Sequence, residues 1–256
     1  AFNFSAGPAS IPTEVLKQAQ QELLNWKEQG CSVMEFGHRT PEFADLIEKA
    51  ELNFRQLLNI PEHYKVLFMH GSASHQFAMV PMNFLAKGDT ANYLEQAHWS
   101  KKAITEAKNF AAVHVHSAFE QTPEGLSIVN ESRWQLEDNA KYLHYTSNET
   151  IVGVQFEKEP EAFSGKLVCD MCSDILSRPI DINKYALIYA GAQKNIGPSG
   201  MTIVIVREDL FEQMQTTRVP SLFQYPLMAK HGSLYNTPPS FGIYLAGLVF
   251  DWLFHL

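Results

Sequence analysis

The chain has 256 residues, 45% of them hydrophobic and 19% charged, a composition that buries one large core or two smaller ones and excludes a disordered or coiled-coil protein. A net charge of -8 and a pI near 5.7 exclude a general nucleic-acid binder, which needs a basic face to displace counterions. Three cysteines, Cys31, Cys169 and Cys172, are too few and odd in number for a disulfide framework; with no apolar run of bilayer length and no basic-then-apolar leader, a cytoplasmic protein is expected.

In chain order, the spacing of Val15, Leu16, Ala19, Leu23 and Trp26 predicts an amphipathic helix over 13–29, started at Pro12 and Thr13 and ended at Gly30. A second helix is expected over 41–58, with Phe43, Leu46, Ile47, Ala50, Phe54, Leu57 and Leu58 on one side. The apolar run Lys65–Met69 then gives way to the small, polar His70-Gly-Ser-Ala-Ser-His75, and a helix is expected over 74–85. Strand-like runs recur at 91–94, 111–115, 142–145, 151–156, 166–169, 186–190 and 201–206. Several are continuously apolar, the pattern of strands buried on both faces of a mostly parallel sheet. The fold class is therefore α/β, an open sheet covered by helices, with ligands expected beyond the carboxyl ends of the strands. The closing GLVFDWLFHL reads as an apolar helix without a cap or polar tail, so further chain is expected after it.

The chemistry-bearing residues stand just after apolar runs. In Ala186-Leu-Ile-Tyr-Ala-Gly-Ala-Gln-Lys-Asn-Ile-Gly-Pro-Ser-Gly-Met201 a strand runs into a small-residue turn carrying Lys194. This lysine is either a surface charge or a cleft amine able to form a Schiff base. Asp170 ends Lys166-Leu-Val-Cys-Asp; it either caps the next turn or pairs with a cationic ring nitrogen. The His70–His75 segment is an ordinary capped loop or a phosphate site at a helix start. Trp99 is core or an aromatic stacking surface, and Arg39 is a surface charge or an anion clamp. Cys169-Asp-Met-Cys172 lacks a second pair and reads as structural rather than metal-binding or redox. His114-Val-His116 places two imidazoles on one strand face without a third ligand.

Taken in order, the phrases Phe4-Ser-Ala-Gly-Pro8, Ser32-Val-Met-Glu35 with His38-Arg39, Asn148-Glu-Thr150, Ile175–Asp181, Tyr189-Ala-Gly-Ala-Gln-Lys-Asn-Ile-Gly-Pro198, Ile203–Leu210 and Asn236-Thr-Pro-Pro239 resemble the phosphoserine aminotransferase family. These are pyridoxal-phosphate (PLP) enzymes of class V with the aspartate-aminotransferase-like fold, fold type I. The resemblance implies an N-terminal segment over 1–15 and a PLP-binding large domain over 16–256, with the family's C-terminal small domain absent from this chain. It also implies roles. Lys194 holds the cofactor covalently and carries the proton, and Asp170 pairs with the ring nitrogen. Trp99 stacks on the ring and Thr150 contacts the cofactor. Ala73, Ser74 and Gln193 serve its phosphate, as do Asn236 and Thr237 from the neighbouring subunit of a homodimer. Arg39, aided by His38, binds the substrate's anionic end.

The implied reaction moves the amino group of glutamate to 3-phosphohydroxypyruvate, giving O-phosphoserine and 2-oxoglutarate in serine biosynthesis, with a second use on a phosphorylated threonine precursor of PLP. Ser72-Ala-Ser-His75 stands where many members carry a glycine-rich loop with an arginine, which marks a subfamily. The competing readings are another fold-type-I PLP enzyme and a truncated chain that binds PLP without catalysis. Gln193, where cysteine desulfurases carry a histidine near their lysine, disfavours that group.

Overall fold

The computed structural model describes residues 2–256; residue 1, part of the expected segment 1–15, lies outside the described residues. The chain opens with helices α1 (Thr13–Glu22) and α2 (Pro41–Leu58). Thr40 caps α2, accepting at Oγ1 from the Phe43 N–H at 3.4 Å, and Pro41 takes the first helical position, where its missing N–H costs nothing. Asn59 ends the helix in the left-handed conformation, φ 51°. Strand β1 (Tyr64–His70), α3 (Ala73–Phe84), β2 (Thr90–Glu95), α4 (His98–Ala107) and β3 (Ala112–Ser117) follow. A hairpin of β4 (Phe119–Thr122) and β5 (Gly125–Ile128) precedes β6 (Leu143–Thr146), and β7 (Asn148–Glu149) pairs with β8 (Val154–Gln155) in a short ribbon. Then come β9 (Leu167–Asp170), β10 (Tyr185–Gly191), β11 (Met201–Arg207), α5 (Tyr225–Lys230) and α6 (Ser240–Leu253).

Seven strands form one sheet in the order β1-β11-β10-β9-β6-β2-β3. β11 is antiparallel to both of its neighbours, and the other contacts are parallel. Every residue of β9 and β10 is buried, as the continuous apolar runs require. The two-residue period splits their side chains between two cores. On β11, Ile203 and Ile205 join the side covered by α1, α2 and α6, while Val204 and Val206 join the side covered by α3, α4 and α5. Burial of each such side chain contributes roughly 1.5–3 kcal/mol. On the first side, Phe54 meets Phe250 with ring centroids 4.9 Å apart, and Gly247 lets α6 approach Ala50 of α2, where a Cβ would lie 3.4 Å from the alanine methyl.

Two expected elements change form. The helix expected over 13–29 stops at Glu22; Asn25, at φ -151°, has left the helical region, and Lys27, Glu28 and Gly30 beyond it have positive φ. Trp26 still enters the core, edge-on to Phe36 at 5.1 Å, but from a turn rather than a helix face. The strand expected over 151–156 is a turn followed by two strand residues, with Ile151 63% and Val152 44% exposed. Gly153, at φ 70°, turns the chain there, and β-branched residues that promise a buried strand stand at a surface instead. Among the described residues, no helix is long and apolar enough to cross a membrane.

Candidate active site

The parallel strands deliver their carboxyl ends to one edge of the sheet, and a cavity of about 330 Å3 opens there, a size suited to a small ligand. After β1, Gly71 turns the chain at φ 100° into Ser72 and the first turn of α3. The His75 ring folds back over Gly71, where a Cβ would lie 2.5 Å from Nδ1, and that Nδ1 accepts the Ser72 N–H at 3.1 Å. Ala73 and Ser74 line the cavity at this helix start, where free N–H groups and the positive dipole end favour an anion.

From β2 the chain reaches α4 and Trp99, whose half-buried ring lines the cavity. Its indole Nε1 is buried without a hydrogen-bond partner among the described residues. Thr146, Asn148 and Thr150 line the cavity from the exit of β6. At the end of β9, Asp170 is 3% exposed and accepts the Cys172 N–H at Oδ1, 2.9 Å away. Burial pushes its carboxyl up from the ordinary 3.8 to about 6, against the pull of the Cys172 hydrogen bonds and of the Lys194 charge. Asp170 is therefore largely an anion at neutral pH, held at the floor of a desolvated pocket.

Lys194 rises from the turn after β10, and its Nζ donates to Thr150 Oγ1. Backbone bonds fix that turn at both ends: Ala192 N–H to Met201 O at 2.9 Å, and Gly197 N–H to Ala192 O at 2.7 Å. The N-terminal segment lies across it, Ala9 N–H donating to Gln193 O at 2.8 Å, and a Cβ on Gly7 would stand only 3.3 Å from Lys194 Cε.

Residues 1–256 match the class-V aminotransferase family. Over 99% of its length, and 70% of the relative's, the chain is 53% identical to a phosphoserine aminotransferase of Pseudomonas entomophila. The chain belongs to the phosphoserine aminotransferase family within class V. A solved phosphoserine aminotransferase from Bacillus circulans subsp. alkalophilus superposes with a TM-score of 0.93 at 48% identity, covering 100% of this chain and 70% of that one. A PLP-bound one from Trichomonas vaginalis superposes at 0.94 with 38% identity, covering 100% of this chain and 75% of that one. The α/β fold type expected from the sequence is the one these PLP-dependent aminotransferases share.

Of the residues singled out in the sequence, Ala73, Ser74, Trp99, Thr150, Asp170, Gln193 and Lys194 line this one cavity. Four do not. Arg39 is exposed and His38 half-buried on the connection into α2, and Asn236 and Thr237 lie half-buried and exposed ahead of α6. None of these four lines the cavity within a single chain. Sequence reading assigned no role to Gly7, Thr146, Asn148 or Cys172, which also line it; Gly7 and Asn148 stood inside family phrases, but nothing in their spacing pointed to a cleft.

The other motifs are structural. Cys169 and Cys172 are free and buried, and burial pushes both thiols well above the ordinary range; such thiols are poor nucleophiles and metal ligands. His114 and His116 both bind the backbone of Gln135, at 2.8 and 3.4 Å. Among the described residues, no group of three His, Cys, Asp or Glu side chains could hold a metal ion.

Proposed function

We propose that this chain performs the phosphoserine aminotransferase reaction, in which the amino group of glutamate passes to 3-phosphohydroxypyruvate to give O-phosphoserine and 2-oxoglutarate. The observation that carries the reading is the meeting of Asp170 and Lys194, from two adjacent parallel strands, in a cavity walled by Trp99 and closed by a helix N-terminus. These residues fit pyridoxal phosphate in each of its parts. A buried carboxylate suits a cationic ring nitrogen, a flat indole face suits the ring, a primary amine suits the aldehyde, and free α3 N–H groups suit the phosphate. When bound, the cofactor supplies an aldehyde for amine exchange and a protonated ring that takes up the electron pair left by removal of the substrate's α-proton.

The chain's own residues do the rest. Asp170 holds the proton on the ring nitrogen, since an anion in a low-dielectric pocket keeps its cationic partner charged. Lys194 would anchor the cofactor's aldehyde and act as the base that moves the proton at the substrate's α-carbon. Thr150 Oγ1 fixes where the Lys194 Nζ stands. Trp99 confines the ring to one plane. Ala73, Ser74 and Gln193 bind the phosphate. Gly7, with its neighbours, lies over the lysine and excludes water from that side.

The substrate's anionic end requires a cation, and among the described residues the cavity wall of one chain offers none besides Lys194. Arg39, with His38, supplies it across the interface of a homodimer, and Asn236 and Thr237 of the neighbouring subunit complete the phosphate site. Glutamate and the phosphorylated keto acid are both small anions, so one guanidinium serves both half-reactions. A cytoplasmic location follows from the biosynthetic role.

A visible absorption band should be present in the purified protein, bleach on addition of glutamate and return with 3-phosphohydroxypyruvate. Lys194→Ala should lack the band. A protein that stays colourless with excess PLP would overturn the cofactor reading, and a band indifferent to glutamate would overturn the substrate reading.

A further inference from the structure

Glu149 has no place in the chemistry above, yet it is fully buried, and a carboxylate in that position is costly unless its oxygens are satisfied. It is satisfied by a helix. Its Oε1 accepts the N–H groups of Ala97 at 3.2 Å, Trp99 at 3.1 Å and Ser100 at 2.9 Å, and Oε2 accepts Trp99 N–H at 3.3 Å. No cation pairs with it among the described residues; the positive end of α4 balances its charge. Helix N-termini are ordinarily capped by a side chain at the cap position itself. The cap position of α4 is Ala97, which has no acceptor, and the acceptor comes instead from β7, some fifty positions along the chain.

The same junction is pinned a second time. Gln96 donates from Nε2 to Thr146 O at 2.6 Å, and the Thr146 N–H returns to Gln96 Oε1 at 2.8 Å. The start of α4 and the exit of β6 thus form one hydrogen-bonded body. It carries Trp99 on one side and Thr150, adjacent to Glu149 and bonded to Lys194 Nζ, on the other.

We propose that Glu149 is a positioning residue that fixes the Trp99 ring and the Thr150 hydroxyl relative to each other, and so sets the plane of the cofactor against the lysine. The inference rests on the cofactor reading above. Glu149→Gln keeps one accepting oxygen for the α4 N–H groups but removes the charge that faces the helix dipole and sets an amide N–H where Oε2 accepts from Trp99, so the cap weakens and Trp99 loses its second contact. Glu149→Asp keeps the charge and loses one methylene of reach.

The test measures three quantities on wild type and both variants: the dissociation constant for PLP, the visible circular dichroism per bound cofactor, and the thermal midpoint of the cofactor-free protein. Glu149→Gln should bind PLP at least tenfold more weakly with altered dichroism per bound cofactor, and Glu149→Asp should fall between it and wild type. If Glu149→Gln fails to fold, the Asp variant alone decides by the same two readouts. A lowered midpoint with PLP affinity within twofold and unchanged dichroism would overturn the proposal, making Glu149 a cap and nothing more. Unchanged values throughout would overturn it equally. A wild-type protein without a visible band would sink the cofactor reading, a result distinct from either.

Discussion

Two parts of the molecule that the sequence singled out behave differently in the fold. Asp170, Thr150 and Lys194 converge within one chain, Asp170 at the end of the fully buried β9, Lys194 in the turn after the fully buried β10, and Thr150 just after the short β7. The segments at His38-Arg39 and Asn236-Thr237 stay at the surface and line no part of the same cavity. The contrast separates what the sheet builds alone from what a second surface has to finish. On our reading, the residues that hold the cofactor's ring and aldehyde belong to the first group, and Asn236 and Thr237, which finish its phosphate site, to the second. Recognition of the anionic substrate belongs to the second, on our reading.

The sharpest way to break this comparison is a mixing experiment. Lys194→Ala should lower kcat by about 10^4-fold or more, since it removes both anchor and proton carrier. Asn236→Ala with Arg39→Ala should be nearly inactive on its own. Mixed dimers of the two variants carry one intact site, so unfolding and refolding an equimolar mixture should restore roughly a quarter of wild-type activity. No recovery would place residues 39 and 236 in the site of their own chain.

Arg39→Ala alone is next in size. Losing one charge-assisted pair with the substrate should raise KM for 3-phosphohydroxypyruvate by roughly 10- to 100-fold, while the PLP dissociation constant stays within twofold. A variant that loses PLP instead would move Arg39 to the cofactor.

Asp170→Asn is read as stability rather than as activity. In the cofactor-free protein, burial raises the Asp170 carboxyl from 3.8 to about 6. The folded state therefore binds the proton more tightly than the unfolded state, and ionising this group costs stability. That cost is absent below about pH 4, grows as pH rises towards 6, and is full above it, on the order of 3 kcal/mol. Asp170→Asn without cofactor should melt higher than wild type at pH 8 and indistinguishably at pH 4, yet bind PLP more weakly. A lower melting temperature at pH 8 would show that the Cys172 hydrogen bonds outweigh the burial.

The strands, their burial on both faces and the lysine turn were legible because each is a local pattern. Continuous apolar runs at 186–190 and 201–206 have few alternatives to a buried strand. The end of α1 and the turn at 151–153 were not legible, because apolar spacing and β-branched content overlook single residues that leave regular backbone, such as Asn25 and Lys27 after α1, or a glycine such as Gly153. Glu149 was visible within Asn148-Glu-Thr150 but mute, since its partners are the N–H groups of Ala97, Trp99 and Ser100 on another element.

By itself, the sequence determined the α/β class and the family, and it singled out Lys194 and Asp170 as candidates, because period, composition and a distinctive phrase are properties of neighbouring residues. Only the tertiary structure decided that Trp99, Thr150 and Lys194 share one cavity, that Glu149 ties two of its walls together, and that Arg39 and Asn236 stand outside it. Those facts depend on which strands lie side by side. Strand order is set by packing both faces of the whole sheet at once, which no local pattern encodes.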